Sequence, residues 1–476
     1  MKTYIISLFL SVILFTSCQD FLEEKSQDKI IPKSIKDYRE FFFGEAYLRE
    51  TSINSYIDIM TDDVKENIKG WGFGKDTRNA GYGYYTWQSI PEDQATGARN
   101  ADNSWASYYH TILICNIVLR EIDDISGEQV EKDDLKAEAY ALRAYSYFML
   151  VNLYGIPYQK ATAETDLGVP LNKVVGMEDV KFKRESVATI YRQIEQDLQD
   201  AIHHLKNSNL KKTYFRWNLP ATYLLASRVK LYKKEYNEAI QMANECLLLN
   251  PNLYDLKLKN AEDRFLNSKN PEILLSYGYY LNSYYAVLAK CNFPISDDLF
   301  DLYKKTNDLR LDGFYNKRKT NYTAYKNDIS GKTSVYGFAL RTSEAYLNRA
   351  EAYAESGESQ KAIDDLNTIR QNRLSTYTEL KATTPEEVIQ LVREERRMEL
   401  AFEGHRWFDL RRWDRPQITH IYTPNIKQPE ETKRFILEKN DPAYTLPIPR
   451  NIMEYEPDLI DNPRPERIDQ NAQNNE

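Results

Sequence analysis

Four side chains that can hold or move protons crowd one short stretch: Glu399, Glu403, His405 and Asp409. Carboxylates and an imidazole at this density could run acid–base chemistry or ligate a metal. The neighbouring residues argue against both. No second histidine stands at ligand spacing, and the chain holds no His-Glu-x-x-His. Read as helix, the stretch places arginines three residues from acids: Glu394 with Arg397, Arg396 with Glu399, Arg406 with Asp409, Asp409 with Arg412. Carboxylates so placed are ion-pair partners rather than general acids. The interleaved Met398, Phe402, Trp407, Phe408 and Trp413 need a packing surface. The expectation is a structural helix pair laced by ion pairs, with Gly404 ending the first helix as a C′ glycine.

A second chemistry is legible in the aromatic residues. Tyrosine is over-used, at 36 residues against 18 phenylalanines. Two clusters sit among glycines and polar residues: Trp71, Tyr84, Tyr85 and Trp87 in one, Tyr279, Tyr280, Tyr284 and Tyr285 in the other. A sugar ring has a face of C–H bonds, which an aromatic ring can cover, and a rim of hydroxyls, which Asn, Asp, Arg and Tyr can bond. Loops on a rigid frame are where such residues serve recognition. These eight residues are the candidates for a glycan platform. The competing reading is that the same rings fill a loop–helix interface, since most aromatics are buried.

A third reactive group stands near the start. Lys2 and the apolar run Tyr4–Phe15 form a signal peptide, too short to cross a bilayer. Leu14-Phe-Thr-Ser-Cys18 follows and reads as a bacterial lipobox, with Phe15 where leucine is usual. On this reading residues 1–17 are removed and Cys18 becomes the lipidated N-terminus, its acyl chains sufficient for stable anchoring. A plain secretory signal cleaved near Ser17 is the alternative. Cys115, Cys246 and Cys291 share no motif spacing and read as small buried hydrophobes.

Composition narrows the class. Apolar content is 42% and charged content 28%, ordinary for a globular chain of 476 residues. A net charge of −8 offers no basic excess to neutralise phosphates, so no nucleic-acid partner is expected. Gly-x-Ser-x-Gly and Walker loops are absent, and Gly70-x-Gly72-x-Gly74 lacks the spacing of a dinucleotide fingerprint. The expectation is a protein without enzymatic activity, metal or cofactor, the use of structural calcium being left open. A surface glycosidase would need two carboxylates across a cleft, and nothing in the sequence points to such a pair.

The elements that must position these groups are mostly helical. Residues 18–35 read as a polar tether, and Ser34 to about Met60 as an amphipathic helix. Residues 61–100 read as loops. Helical stripes follow at Trp105–Leu119, Leu135–Tyr154 and Ser186–Leu205, the last capped by Ser186. Tyr223…Tyr236…Ala239…Pro251 and Tyr346…Ala350…Tyr353…Gly357…Ala362 fit tetratricopeptide units, with Ser227 and Lys230 departing from the consensus. Leu135–Tyr154 could supply half of a third. The interruption over 252–340 argues against a continuous solenoid.

Residues 394–413 resemble the signature of the SusD/RagB family nearly throughout. Trp105–Asn116, Glu138–Gly155, Tyr444-Thr-Leu-Pro-Ile-Pro449 and Asn462-Pro463 are similar to further family elements. The polar tail after Pro463 departs from the usual ending. The resemblance implies an all-α scaffold of tetratricopeptide-like helix pairs with long irregular insertions carrying the ligand face. It divides the globular part, 36–476, into an N-terminal portion (36–215) and a C-terminal portion (216–476). It implies a surface-exposed outer-membrane lipoprotein that captures oligo- or polysaccharide for a SusC-like TonB-dependent transporter. One branch of the family is thought to take peptides instead. The acidic Asp20, Glu23 and Glu24 after Cys18 resemble a surface-export signal.

Overall fold

The computed structural model describes residues 32–47, 56–68, 78–100, 102–175, 182–259, 263–277, 280–281, 293–318, 321–326, 333–334, 338–382 and 384–473. Helix α1 (Ile35–Glu45) opens it with a capping box, the Ser34 hydroxyl accepting from Asp37 N at 3.1 Å and the Asp37 carboxylate accepting from Ser34 N at 3.1 Å. The expected run to Met60 is not one helix. Among the described residues of that run, α1 ends at Glu45 and a 3-10 turn forms at Ile57–Met60. Residues 61–100 are not all loop either, because α2 (Arg78–Tyr85) lies within them.

The scaffold follows: α3 (Ser104–Glu121), α4 (Gln129–Tyr154), α5 (Val187–Ser208), α6 (Leu219–Tyr232), α7 (Tyr236–Leu249), α8 (Asp297–Lys304), α9 (Arg310–Phe314), α10 (Thr342–Glu355), α11 (Ser359–Gln371), α12 (Pro385–Leu400) and α13 (Arg406–Arg412). Helix α4 is buried from Leu135 to its end apart from Lys136 and Tyr140, its buried polar residues being bonded, as Arg143 is to Asp197. It packs on α3 and α5, and α5 is the partner helix that the sequence left unassigned. The Ser186 hydroxyl caps α5 from Thr189 N at 3.1 Å, as expected.

The two tetratricopeptide-like hairpins, α6–α7 and α10–α11, stack directly on each other although 252–340 separates them in sequence. Ala239, Ala243 and Ala350 are fully buried at the crossings, where small residues let the helices approach. The consensus departures in α6 are both used, Ser227 between the units and Lys230 toward α5 and its own turn. Asn348 Nδ2 donates to Ser227 Oγ at 2.9 Å, and Lys230 pairs with Glu195 and Glu235. Beside them Arg228 forms a buried two-pronged pair with Glu344, both contacts 2.6 Å.

Strands are short and pair antiparallel in twos: Leu167–Pro170 with Arg184–Ser186, Ile273–Tyr277 with Phe338–Arg341, Tyr280–Leu281 with Thr333–Ser334, Tyr315–Arg318 with Asn321–Ala324, and Ile418–Tyr422 with Lys433–Leu437. Three of these pairs lie within the insertion itself, the Ile273–Tyr277 pair closing it at the strand that leads into α10. The fold is mainly α.

Candidate functional site

The family-like stretch is a hub, and its pairing differs from the helical projection. Glu399 does not meet Arg396. It accepts from Arg341 and Arg373 at 2.8 Å and from Arg310 at 3.1 Å. Arg396 instead reaches Asp409 at 2.9 Å. Arg397 and Arg406 pair with Asp63 and Asp62 at 2.6 and 2.7 Å. Of the projected pairs, Asp409 with Arg412 is present, at 2.8 Å. Helix α12 stops at Leu400, and Phe402 (φ 60) takes the left-handed position before Gly404 (φ 77). Its ring is held edge-on to Tyr315, which fixes that turn.

These contacts settle what the four proton-bearing residues do. Burial alone would raise Glu399, but Arg373, Arg341 and Arg310 hold it well below the usual carboxylate range. Burial likewise opposes Glu403, and Arg341 and Lys326 overcome it. Asp409 is saturated by Arg396 and Arg412. His405 is driven well below its ordinary value by burial, with Arg228 and Arg396 adding to it, and so stays neutral. The cluster is a buried ion network, and each acid already has its cation.

The network carries the base of the irregular face. Beside Asp62 and Asp63, Val64 bridges to Ile295, Lys65 N donates to Pro294 O at 3.0 Å, and Ser296 N donates to Asp63 O at 2.8 Å. Ile295 N continues the contact to Tyr322 O at 2.9 Å. The described chain before residue 69 is thus joined to the described chain after residue 292. A buried Arg78–Glu66 pair at 2.5 Å also joins α2 to this base, and Glu66 accepts from Thr423 N at 3.0 Å.

Three candidate rings belong to this base and not to its surface. Tyr84 stacks on Tyr56 at 3.9 Å. Tyr85 and Trp87 sandwich His420, at 4.1 and 4.4 Å. All three are buried, Trp87 fully, with its Nε1–H donating to Met60 O at 3.0 Å. The cause is α2 and the left-handed turn at Trp87 (φ 53), which wedge these rings between the Ile57–Met60 turn, Phe293 and strand Ile418–Tyr422. For these three, the interface reading holds. Trp71, Tyr279, Tyr284 and Tyr285 lie outside the described residues, as do Cys18 and Cys291; Tyr280 pairs through its backbone with Ser334. Cys115 and Cys246 are buried free thiols.

Next to the base is a cleft of about 410 Å³ that the sequence did not reveal. Tyr82 and Tyr422, 4.8 Å apart, form its aromatic wall, and Gln88, Ser89, Asp93 and Gln94 supply amides, a hydroxyl and a carboxylate. That combination of ring faces and hydrogen-bonding groups suits a polyol. No local pattern joins Tyr82 to Tyr422, which lie far apart in the chain.

The profile of a family described as "Starch-binding associating with outer membrane" matches residues 20–231, and that of the SusD family matches residues 298–464. The chain belongs to the SusD/RagB family. A SusD-like protein of Formosa agariphila is 21% identical, the match covering 87% of this chain and 90% of that one. The crystal structure of a putative sugar binding protein from Bacteroides vulgatus superimposes with a TM-score of 0.73 at 27% identity, covering 91% of this chain and 99% of that one. A SusD superfamily protein from Bacteroides thetaiotaomicron shows the same fold at 23% identity, with a TM-score of 0.71 over 90% of this chain and all of the other. The SusD signature at 394–413 is therefore the buried hub that sets the insertion on the helical frame. Among the described residues no helix is long and apolar enough to cross a membrane.

Proposed function

We propose that this chain is a surface-exposed lipoprotein of the outer membrane that captures oligo- or polysaccharide on its irregular face and delivers it to a SusC-like TonB-dependent transporter. It acts by binding, without catalysis. The observation that carries the reading is the Tyr82–Tyr422 cleft, with its ring faces and hydrogen-bonding groups, beside the base that joins Val64 to Ile295. A rigid base lowers the ordering cost of recognition, because few groups must be immobilised when ligand arrives. Trp71, Tyr279, Tyr280, Tyr284 and Tyr285 remain the rings proposed to meet the glycan, with Cys18 as the lipid attachment point. Family membership and the sugar-binding description of a structural relative support the substrate class.

Affinity electrophoresis of the soluble form starting after Cys18 tests this. Retardation in a gel carrying one polysaccharide and free migration in others is the expected result. Free migration through every polysaccharide, with binding to a peptide panel, would replace glycan by peptide. Release of reducing ends by the purified protein would overturn the non-catalytic assignment.

A further inference from the structure

A second cleft, of about 500 Å³, opens where the turn after α6 meets the end of α13. Its walls carry Lys160, Lys233, Lys234, Arg411, Arg412 and Arg415 against a single carboxylate, Glu235. Two of the cations are already neutralised: Lys233 by Glu195 and Glu235, Arg412 by Glu351 and Asp409. Among the described residues, Lys160, Lys234, Arg411 and Arg415 have no carboxylate partner. Four uncompensated cations in one cleft stand out on a chain of net charge −8.

Arg411 marks the floor. It is 3% exposed, and its guanidinium meets only neutral oxygens, Gly155 O at 2.7 Å and Thr445 Oγ1 at 3.3 Å. Its Nε–H is buried without a partner. A buried guanidinium with an idle donor and no counter-charge is costly unless an anion completes it. Burial, reinforced by neighbouring Arg415, pushes it down to about 9. Lys234 (φ 61) and Arg415 (φ 42) hold left-handed backbone that long side chains seldom adopt, and both sit at the rim.

We propose that this cleft is a binding site for a small organic oxyanion of monosaccharide size, a uronate or a sulfate- or phosphate-bearing sugar. The oxyanion would be held by Lys160, Lys234 and Arg415 at the mouth, with the uncompensated Arg411 charge beneath them, and Pro157 and Tyr158 would wall the rest of the ligand. The inference does not rest on the irregular-face reading and stands or falls separately from it.

Titration calorimetry of the soluble protein with glucuronic acid, glucose 6-sulfate, glucose and inorganic sulfate tests it. The anionic sugars should bind, more weakly as NaCl rises, and glucose should not. A Lys160→Gln/Lys234→Asn/Arg415→Asn variant should lose roughly tenfold or more in affinity, with its unfolding transition unchanged. Asn is chosen at 234 and 415 because it tolerates the left-handed backbone, and the substitutions touch neither segment 69–77 nor segment 282–292. Equal binding of glucose, unchanged affinity in the variant, or no binding by any anionic sugar would overturn the site. Inorganic sulfate binding as tightly as glucose 6-sulfate would overturn the assignment to a sugar.

Discussion

Replacing Glu399 by glutamine should destabilise the protein by about 3–5 kcal/mol, because three buried arginines lose their shared counter-charge. Denaturant unfolding checks this, and a loss under 1 kcal/mol would contradict the hub. Asp58 is the reverse case. It has no cation paired with it among the ion pairs of the described residues, and nearby Lys326 is already held by Glu403. Burial, then Asp63, push Asp58 up to about 8 against the Gly404 backbone and Lys326. A raised carboxylate contributes stability that is fully present below its unfolded value near 4 and is lost as pH rises through about 8. The wild type thus carries a falling slope of about 1.4 kcal/mol per pH unit from this group, which Asp58→Asn lacks. His420, held down to about 4 by burial, adds an opposite slope below its ordinary value in both proteins, so the difference between the two curves isolates Asp58. Parallel curves between pH 5 and 8 would sink the argument. The sequence disclosed that these charges were paired and structural. It did not disclose the partners, since Glu399 finds arginines from three other elements and a helical projection sees only neighbours on its own.

Trp87→Ala should cost about 3–5 kcal/mol, since it empties a fully buried ring site and orphans Met60 O. Trp71→Ala, by contrast, should weaken glycan retention and leave the melting temperature nearly unchanged. Thermal melts beside affinity gels separate the two; a Trp87→Ala protein that melts like the wild type would show the ring is not core. Helix α2 explains why the sequence misassigned this region. Gly81 and Gly83 looked like loop residues, but a Cβ at Gly81 would lie 2.9 Å from the Phe293 ring, and one at Gly83 would lie 2.5 Å from Pro91 O. The glycines serve close packing of a helix, a need set by distant chain that local composition cannot show. Where periodicity was strong, as in α4 and α5, the elements were legible, with α4 starting at Gln129 and α5 ending at Ser208, a few residues beyond the expected limits.

At the scale of the whole molecule, the repeat spacing disclosed the helical hairpins, while their direct stacking across 252–340 depends on buried contacts such as Asn348 with Ser227 and Arg228 with Glu344. Anchoring is tested by Cys18→Ser, which should move the protein from the membrane fraction to the soluble one; persistence in the membrane would refute the lipid attachment. The central claim is that the irregular face captures glycan. Its most direct test compares two soluble proteins in one polysaccharide gel that retards the wild type: the intact chain, and a variant with residues 70–75 replaced by glycine and serine. The account predicts that the variant migrates freely and unfolds like the wild type. Equal retardation of both would contradict it.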